Sequence, residues 1–308
     1  MNGKTVLEAF GFNVDEEPVS IYPFSPVYHV HTTDGEYIVK RTQSLLKHGK
    51  QVMDYTKMLG ANGIRVVTPV RMQTDNPQMI AGKTYVVYPF IQGAKYSGQP
   101  AQIYKAGKLL GNIHALSPSQ NYDLDPYKEF DFDTDEVTES VDRIETHAAA
   151  NQMTIAGTRL RQKLLDAVAG QEKLQTSGLP YVATPYDYKA NNLIFTPKPF
   201  LIDPDNASWV PRIFDLALTL LLFHNEMETA PDRMFTTVEW KTFLDGYQSV
   251  VSLTELERTH WQYALEHIFL DEVMWLMTEA EDDWKNPSQQ ALFVSLLNFL
   301  QEPSAYPI

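Results

Sequence analysis

Strand-like and helix-like patterns are segregated along this chain, and the change comes at about Gly93. The β-branched and aromatic runs VYHVHT and EYIVKRT flank Asp34-Gly35, a combination that predicts an antiparallel hairpin. The segregation favours an α+β fold, with a strand-rich part over 1–90 and a larger, mainly helical part over 91–308. Further predicted elements are helices over 50–59 and 101–116, two helices between about 136 and 176, and strands over 66–72 and 83–91.

Two short apolar runs interrupt the helical part. Leu193-Ile194-Phe195 and Phe200-Leu201-Ile202 are close enough in sequence to form a second hairpin. From Asp215 onward every pattern is helical, with a capping box beginning at Thr254 and an Asn286-Pro287 helix start.

Composition excludes several classes of function. The 308 residues include 25 basic and 39 acidic side chains, a net charge of −14, which argues against nucleic-acid binding. The absence of cysteine excludes disulfides, cysteine nucleophiles and cysteine-based zinc sites. The start of the chain does not resemble a signal peptide, and the longest apolar run, 216–223, is far shorter than a membrane span. A cytoplasmic protein without a membrane partner is therefore expected.

The polar side chains that could carry chemistry occur in a fixed order. Asp187, Lys189 and Asn192 precede the first short strand, and Asp203 follows the second. Far upstream, Lys40 lies on the second strand of the hairpin. Phosphoryl transfer requires a carboxylate at the attacking hydroxyl, oxygen ligands for Mg²⁺ and a lysine for the phosphates. The alternative is a set of hydrogen-bonded turns, which Asp and Asn also favour.

Taken together, these motifs resemble the aminoglycoside phosphotransferase and choline kinase family of the protein-kinase-like fold. The family pattern His-Gly-Asp-x-x-x-x-Asn, then Ile-Asp, then Asp-Leu-Ala is similar to PYDYKANN, Ile202-Asp203 and Asp215-Leu216-Ala217. GKLLGNIHAL resembles the family's Gly-x-x-Leu-x-x-x-His-x-Leu helix, and YVVYPFIQG resembles the hinge. The resemblance covers about residues 20–225.

The resemblance implies a two-lobe fold, an ATP- and Mg²⁺-dependent phosphotransferase and a small-molecule acceptor with a hydroxyl group. It implies that Asp187 is the catalytic base. Lys189 departs from the family's usual His but matches the Asp-x-Lys-x-x-Asn of eukaryotic protein kinases, in which the lysine contacts the transferred phosphate, and we expect the same role here. Magnesium ligands would be Asn192 and Asp203. Nucleotide-binding residues would be Lys40, Ser25, Tyr88 and Phe90.

Three departures from the family pattern stand out. Pro185-Tyr186 replaces the His-Gly that precedes the base, and the phosphate-covering segment PFSP, 23–26, contains no glycine. The helix glutamate that pairs with the lysine is missing, and Asp54 is the candidate replacement. A kinase-like protein that binds ligand without turnover is therefore an alternative to an active enzyme. Lys189 also fits a protein kinase, but only twelve residues separate Asp203 from Asp215, which leaves no room for an activation loop.

Several other polar residues have structural interpretations. His114 is expected to be a core histidine, and Asp215 to cap its helix and brace the catalytic loop. His29 and His31 share a strand face but lack further metal ligands. Asp205 either reaches a second magnesium ion or lies in a turn.

The late segment 270–284 suggests the charge of the acceptor. On a continuous helix, Asp271, Trp275 and Glu279 would share one face, with Asp282 and Asp283 just beyond. Such a stripe suits a cationic acceptor, although a solvated acidic face is the simpler interpretation.

Overall fold

The computed structural model describes residues 2–22, 25–42, 45–121, 123–279 and 281–308. The chain divides into two compact units. The first unit comprises Met1–Ala94, Gln120–Leu124 and Leu193–Ala207, and the second comprises Lys95–Ser119, Asp125–Asn192 and Ser208–Ile308.

Helices and strands follow one another in an order that separates β from α. The elements are α1 (Gly3–Ala9), β1 (Val27–Thr32), β2 (Gly35–Thr42), α2 (Leu46–Ala61), β3 (Gln78–Ile80), β4 (Lys83–Pro89), α3 (Pro100–Ala115), β5 (Asp125–Pro126), α4 (Thr134–Ala150), α5 (Gly157–Gln175), β6 (Tyr181–Thr184), β7 (Leu193–Phe195), β8 (Pro199–Leu201), β9 (Ser208–Pro211), α6 (Arg212–Leu222), α7 (Thr237–Gln248), α8 (Glu255–Ile268), α9 (Met274–Glu279) and α10 (Pro287–Gln301).

An antiparallel sheet with the strand order β1-β2-β4-β3 forms the centre of the first unit. The predicted hairpin is confirmed, with Thr32 opposite Gly35 and Val27 opposite Lys40. One sheet face packs on α1 through a buried cluster that includes Val39 and Val87. Because side chains alternate along a strand, Lys40 lies on the other face.

The prediction of a strand over 66–72 is wrong. Only Val66 forms a bridge, to Leu201, and the Val70 N–H donates to the Val87 carbonyl. Pro69 has no N–H to donate, so a regular ladder cannot continue through it. The predicted second hairpin is confirmed as β7 paired with β8.

Two helices of the second unit approach each other unusually closely. A Cβ atom on Gly107 of α3 would lie 2.0 Å from the Phe243 carbonyl oxygen of α7, and one on Gly246 of α7 would lie 2.0 Å from the Tyr104 carbonyl oxygen. Only glycine permits this backbone contact. It holds α3, and with it His114, at a fixed position in the unit.

Two helix predictions are corrected. Helix α6 begins at Arg212, directly after β9, so Asp215 lies within its first turn and is not the N-cap. The segment 270–284 is not one α-helix, because a π-helical segment, Phe269–Val273, precedes α9 and a 3₁₀ segment follows at Glu281–Lys285. The predicted capping box at Thr254 and the Asn286-Pro287 start are confirmed. In the described part of the chain, no helix combines the length and apolarity needed to span a membrane.

Candidate functional site

In the first unit, Lys40 is held between two carboxylates. Its Nζ lies 2.6 Å from both carboxylate oxygens of Asp203 and 3.1 Å from Oδ2 of Asp205. Burial of Lys40 opposes its charged form, but Asp205 and Asp203 outweigh this effect and raise the pKa of the ammonium group. Lys40 is therefore a fixed positive charge.

Asp205 forms an ion pair with Lys40, a role that the sequence suggested for a carboxylate of helix α2. The Tyr88 hydroxyl donates to its Oδ1 at 2.9 Å. Burial raises the pKa of the Asp205 carboxyl, and the Lys40 charge opposes this shift. The prediction that Asp54 pairs with Lys40 is wrong, because its side chain is 77% exposed and its ion-pair partner is Lys57, 4.0 Å away.

The other predicted nucleotide residues also lie in the first unit. The Ser25 hydroxyl donates to the Arg41 carbonyl at 3.1 Å. This bond anchors Ser25, the third residue of PFSP, to β2. Pro23 and Phe24 lie outside the described residues. The ring of Phe90 stacks on His29 at a centroid distance of 4.2 Å.

In the second unit, β6 leads into the loop that contains Asp187. Tyr186 and Asp187 both have left-handed backbone conformations, with φ of 51° and 50°. Non-glycine residues rarely adopt this region, and such strain is concentrated at functional sites. The loop ends in a 3₁₀ turn, Ala190–Asn192, where the Asn192 side-chain amide donates to the Asp187 carbonyl at 3.0 Å.

The structure places Lys189 next to Asp187. Lys189 Nζ lies 3.1 Å from Asp187 Oδ2 and 3.0 Å from Glu226 Oε2. Burial opposes the charged form of Lys189, but the charges of Asp187 and Glu226 outweigh it and raise the pKa of Lys189. Glu226 was not predicted, because an isolated glutamate in a loop after α6 has no recognisable pattern.

Asp215 braces the strand before this loop. Its Oδ2 accepts a hydrogen bond from Thr184 at 3.0 Å and lies 2.9 Å from His114 Nε2, while His114 Nδ1 lies 2.8 Å from the Tyr247 hydroxyl. The prediction of a satisfied core histidine is confirmed, since only 3% of His114 is exposed. These contacts agree with the expectation that Asp215 braces the loop that contains Asp187.

A cavity of about 260 Å³ lies beside Tyr186, and we call it the acidic cavity. The Tyr186 hydroxyl donates to Glu272 Oε1 at 3.0 Å, and the Tyr127 hydroxyl donates to Asp271 Oδ2 at 2.7 Å. Both carboxylates belong to the π-helical segment, a type of element that is frequent at functional sites. The lining residues are Asp125, Pro126, Tyr127, Lys128, Glu129, Tyr186, Ser208, Val210, Asp271 and Glu272.

Burial makes these carboxylates hard to ionise. Burial, followed by the charge of Glu272, raises the pKa of Asp271 to about 7. Burial also raises the pKa of Glu272, and the charge of Asp187 adds to the shift. A positively charged group in the cavity would reverse both effects by favouring the ionised carboxylates.

The expected acidic stripe is divided. Asp271 lines the acidic cavity, whereas Trp275 is 58% exposed. Glu279 lies 3.9 Å from Arg143, and Asp282 lies 2.7 Å from Lys285. The hydrogen bonds of the π-helical segment span five residues, so side chains four apart no longer stack as on an α-helix.

The residues that the family pattern implies for Mg²⁺ have suitable chemistry. Asp203 offers a carboxylate that is 37% exposed, and Asn192 offers an amide oxygen because its nitrogen is engaged by the Asp187 carbonyl. Magnesium prefers oxygen donors, and each of these two side chains offers one.

Comparisons with known proteins identify the family. The profile of the phosphotransferase enzyme family (APH) matches residues 24–250. Among curated protein sequences, none matches the chain.

Solved structures share the fold at low sequence identity. An amicoumacin kinase in complex with AMP-PNP and Ca²⁺ is 15% identical, with a TM-score of 0.69 over 99% of this chain and 94% of that one. A microcompartment-associated aminopropanol kinase is 14% identical, with a TM-score of 0.67 over 99% and 98% of the two chains. Choline kinase LicA from Streptococcus pneumoniae is 16% identical, with a TM-score of 0.59 over 97% of each chain. The two-lobe, kinase-like α+β fold is thereby confirmed.

Proposed function

Because the chain belongs to the phosphotransferase enzyme family, we propose that it transfers a phosphoryl group from ATP to a hydroxyl group of a small cationic molecule. The reaction breaks the bond between the γ-phosphorus and the bridging oxygen and forms a bond to the acceptor oxygen. The acceptor proton leaves to a base, and ADP carries away the electron pair of the broken bond.

The proposal depends above all on the position of the acidic cavity next to the proposed base. Tyr186, which immediately precedes Asp187, lines the cavity, and the negative charge of Asp187 acts on the carboxyl group of Glu272, which also lines it. An acceptor in the cavity would therefore lie near the Asp187 carboxylate, which would orient the attacking hydroxyl and take its proton. Lys189, 3.1 Å from Asp187, would stabilise the negative charge of the transferred phosphoryl group.

We assign nucleotide binding to the strand-rich lobe, 1–90, and acceptor binding to the helical lobe, 91–308. Lys40 would neutralise phosphate oxygens, Ser25 would lie under the phosphates, and Tyr88 and Phe90 would contact the base. Asp203 and Asn192 would each give one oxygen to Mg²⁺, which when bound offsets the charge of the phosphates. AMP-PNP and ADP in two solved structures of this fold support the nucleotide part of the proposal.

The carboxylates of the cavity support a cationic acceptor. Two of the structures with this fold are named for choline and aminopropanol, which carry a quaternary ammonium group and an amine. In the acidic cavity, such a group would meet Asp271, Glu272 and the faces of Tyr127 and Tyr186. Charge pairing and cation–π contact both become stronger when the partners are desolvated.

The test of the proposed function is a panel of acceptors offered with ATP and Mg²⁺. The panel contains choline, aminopropanol, aminoglycosides, homoserine and neutral sugars, and ADP release and phosphorylated product are both measured. We expect Mg²⁺-dependent turnover that rises with a cationic acceptor and not with the sugars. Nucleotide binding that is independent of metal, with no turnover on any acceptor, would instead favour a kinase-like binding protein.

Neutralising a carboxylate of the acidic cavity should weaken the binding of the acceptor but not that of ATP. We expect Asp271→Asn to raise the KM of a cationic acceptor by about tenfold or more, since a hydrogen bond to a charged group contributes about 1.5–3 kcal/mol. The KM of ATP should be unchanged. Because a bound cation favours the ionised carboxylate, wild-type affinity should increase as the pH rises through about 7. This increase should be smaller in the variant.

The matched control removes acidic charge from outside the cavity. Glu279→Gln combined with Asp282→Asn neutralises two side chains that are 52% and 90% exposed. We expect this variant to match the wild type for both substrates. Equal acceptor KM values in the Asp271 variant and the wild type would contradict the proposal that the acceptor binds in the acidic cavity.

The same carboxyl predicts a pH-dependent stability change in the free protein. The folded-state pKa of Asp271, about 7, lies above its ordinary value of 3.8. Its contribution to stability is therefore complete below the ordinary value and is lost as the pH rises through about 7. Asp271→Asn, which can still accept from Tyr127, should raise the melting temperature relative to the wild type at pH 8 more than at pH 5. An equal shift at both values would contradict the assigned burial effect.

A further inference from the structure

Three side chains with metal-binding atoms converge at the turn end of the β1–β2 hairpin. His31 lies directly opposite Glu36 in the strand register, and His29 lies two residues earlier on β1. Directly opposed residues of an antiparallel pair, and residues two apart on a strand, project from the same sheet face. His29, His31 and Glu36 therefore share one face, at the end of the hairpin away from Lys40.

The side chains are turned toward one another. His29 Nε2 lies 2.8 Å and His31 Nδ1 lies 3.6 Å from the same carboxylate oxygen, Oε2 of Glu36. One ligand atom from each residue lies within 4.8 Å of the other two. The two imidazole ring centroids are 4.2 Å apart.

From this geometry we propose that His29, His31 and Glu36 form a binding site for a divalent metal ion that accepts imidazole ligands, such as Zn²⁺. Zinc binds imidazole nitrogen and carboxylate oxygen at about 2.0–2.2 Å, which places tetrahedral ligands about 3.3 Å apart. The side chains already approach this spacing, so small rotations complete the set. Three protein ligands leave the fourth position for water or another group.

The third ligand, Glu36, could not be predicted from the sequence alone. A pair of histidines spaced by two residues is a poor metal site, and the hairpin register adds Glu36 from the facing strand. A histidine–glutamate hydrogen bond would account for His29 alone. It does not account for the position of His31 Nδ1, which lies 3.6 Å from the same oxygen.

Phe90, the residue after β4, helps to hold the metal-binding side chains in position. Its ring stacks on His29 at 4.2 Å with an interplanar angle of 23°, and its backbone N–H donates to the Glu36 carbonyl at 2.9 Å. The plane of the His29 ring and the backbone of Glu36 are thereby fixed. An ordered ligand set loses less conformational freedom when it binds an ion.

The site differs in chemistry from the magnesium ligands proposed above. Magnesium requires oxygen donors in octahedral geometry, whereas two of these three ligands are imidazole nitrogens. Zinc should therefore bind in the presence of excess Mg²⁺, and Mg²⁺ should not occupy the site.

The experiment uses the full-length chain without a histidine tag, treated with a chelator and then titrated with Zn²⁺ in the presence of millimolar Mg²⁺. Calorimetry and elemental analysis after dialysis give affinity and stoichiometry, and Co²⁺ absorption reports the geometry. We expect one Zn²⁺ ion per chain, a rise in melting temperature and a Co²⁺ spectrum typical of four- or five-coordination.

His31→Ala and Glu36→Gln are the informative variants, because these side chains are 69% and 47% exposed and their loss should not disturb the fold. Loss of outer partners of a metal site already costs about 10–100-fold in affinity, so loss of a ligand should cost about 100-fold or more. His147→Ala, which changes a histidine of α4, is the control and should bind zinc like the wild type. The proposal is overturned if zinc fails to bind the wild type, or if His31→Ala and Glu36→Gln bind it with unchanged affinity.

Discussion

Replacing Asp187 by Asn is expected to lower kcat for phosphoryl transfer by on the order of 10²-fold or more. Asn preserves the size of the side chain but cannot accept the proton of the attacking hydroxyl, and loss of a general base typically costs 10²–10⁴-fold. The structure adds a second effect, because Lys189 would lose its ion pair with Asp187 and keep that with Glu226, 3.0 Å away. Initial rates at saturating ATP and acceptor, with ADP release as the readout, measure the change.

A carboxylate of α7 provides the control. Asp245 lies 2.7 Å from Lys241 in an exposed ion pair, and Asp245→Asn removes the same charge from the second unit. We expect its kcat to equal that of the wild type. An Asp187→Asn enzyme that retains more than about a third of wild-type kcat would show that Asp187 is not the base.

Replacing Asp203 by Ala is expected to abolish ATP turnover while leaving the fold intact. The change removes the carboxylate proposed as a magnesium ligand, and the other proposed ligand, Asn192, carries no charge. Lys40 keeps Asp205 at 3.1 Å, so the buried ammonium group does not lose all its partners. The melting temperature should change by about 3 °C or less, roughly 1 kcal/mol on the scale of larger domains.

Asp54→Ala is the matched variant for this test, since Asp54 lies in the same unit with its side chain 77% exposed. It should retain wild-type turnover. Raising the Mg²⁺ concentration separates the possible explanations further, because partial recovery of the Asp203 variant at high Mg²⁺ would identify a weakened metal site. Turnover at a rate comparable to the wild type, at ordinary Mg²⁺, would contradict the assignment.

The sequence was informative where a local pattern determined the structure. The β1–β2 hairpin follows from alternating β-branched residues around Asp34-Gly35, and the helix start at Thr254 follows from its capping box. The ordered motifs that include Asp187, Asn192 and Asp203 were enough to predict the family, which the profile match over residues 24–250 confirms. In each of these examples, residues close in sequence determine the outcome.

Pairings between distant segments were not predictable. The Lys40–Asp205 pair joins residues 165 positions apart in number, and Glu226 reaches Lys189 from the loop after α6. No local pattern indicates which of many acids approaches a given lysine. The π-helical segment was also missed, because Asp271 and Glu272 fit an ordinary helical periodicity equally well.

The left-handed backbone of Tyr186 limits how this enzyme can change during evolution. The family pattern has glycine at this position, and glycine adopts such a conformation without the roughly 1–3 kcal/mol of strain that other residues incur. A single Tyr186→Gly change would relieve that strain, but it would also leave Glu272 without its 3.0 Å hydrogen bond. The reverse order, with Glu272 replaced first, avoids an unpaired carboxylate. We therefore expect the effects of the two changes on stability to depend on their order, because only the first order leaves the Glu272 carboxylate unpaired.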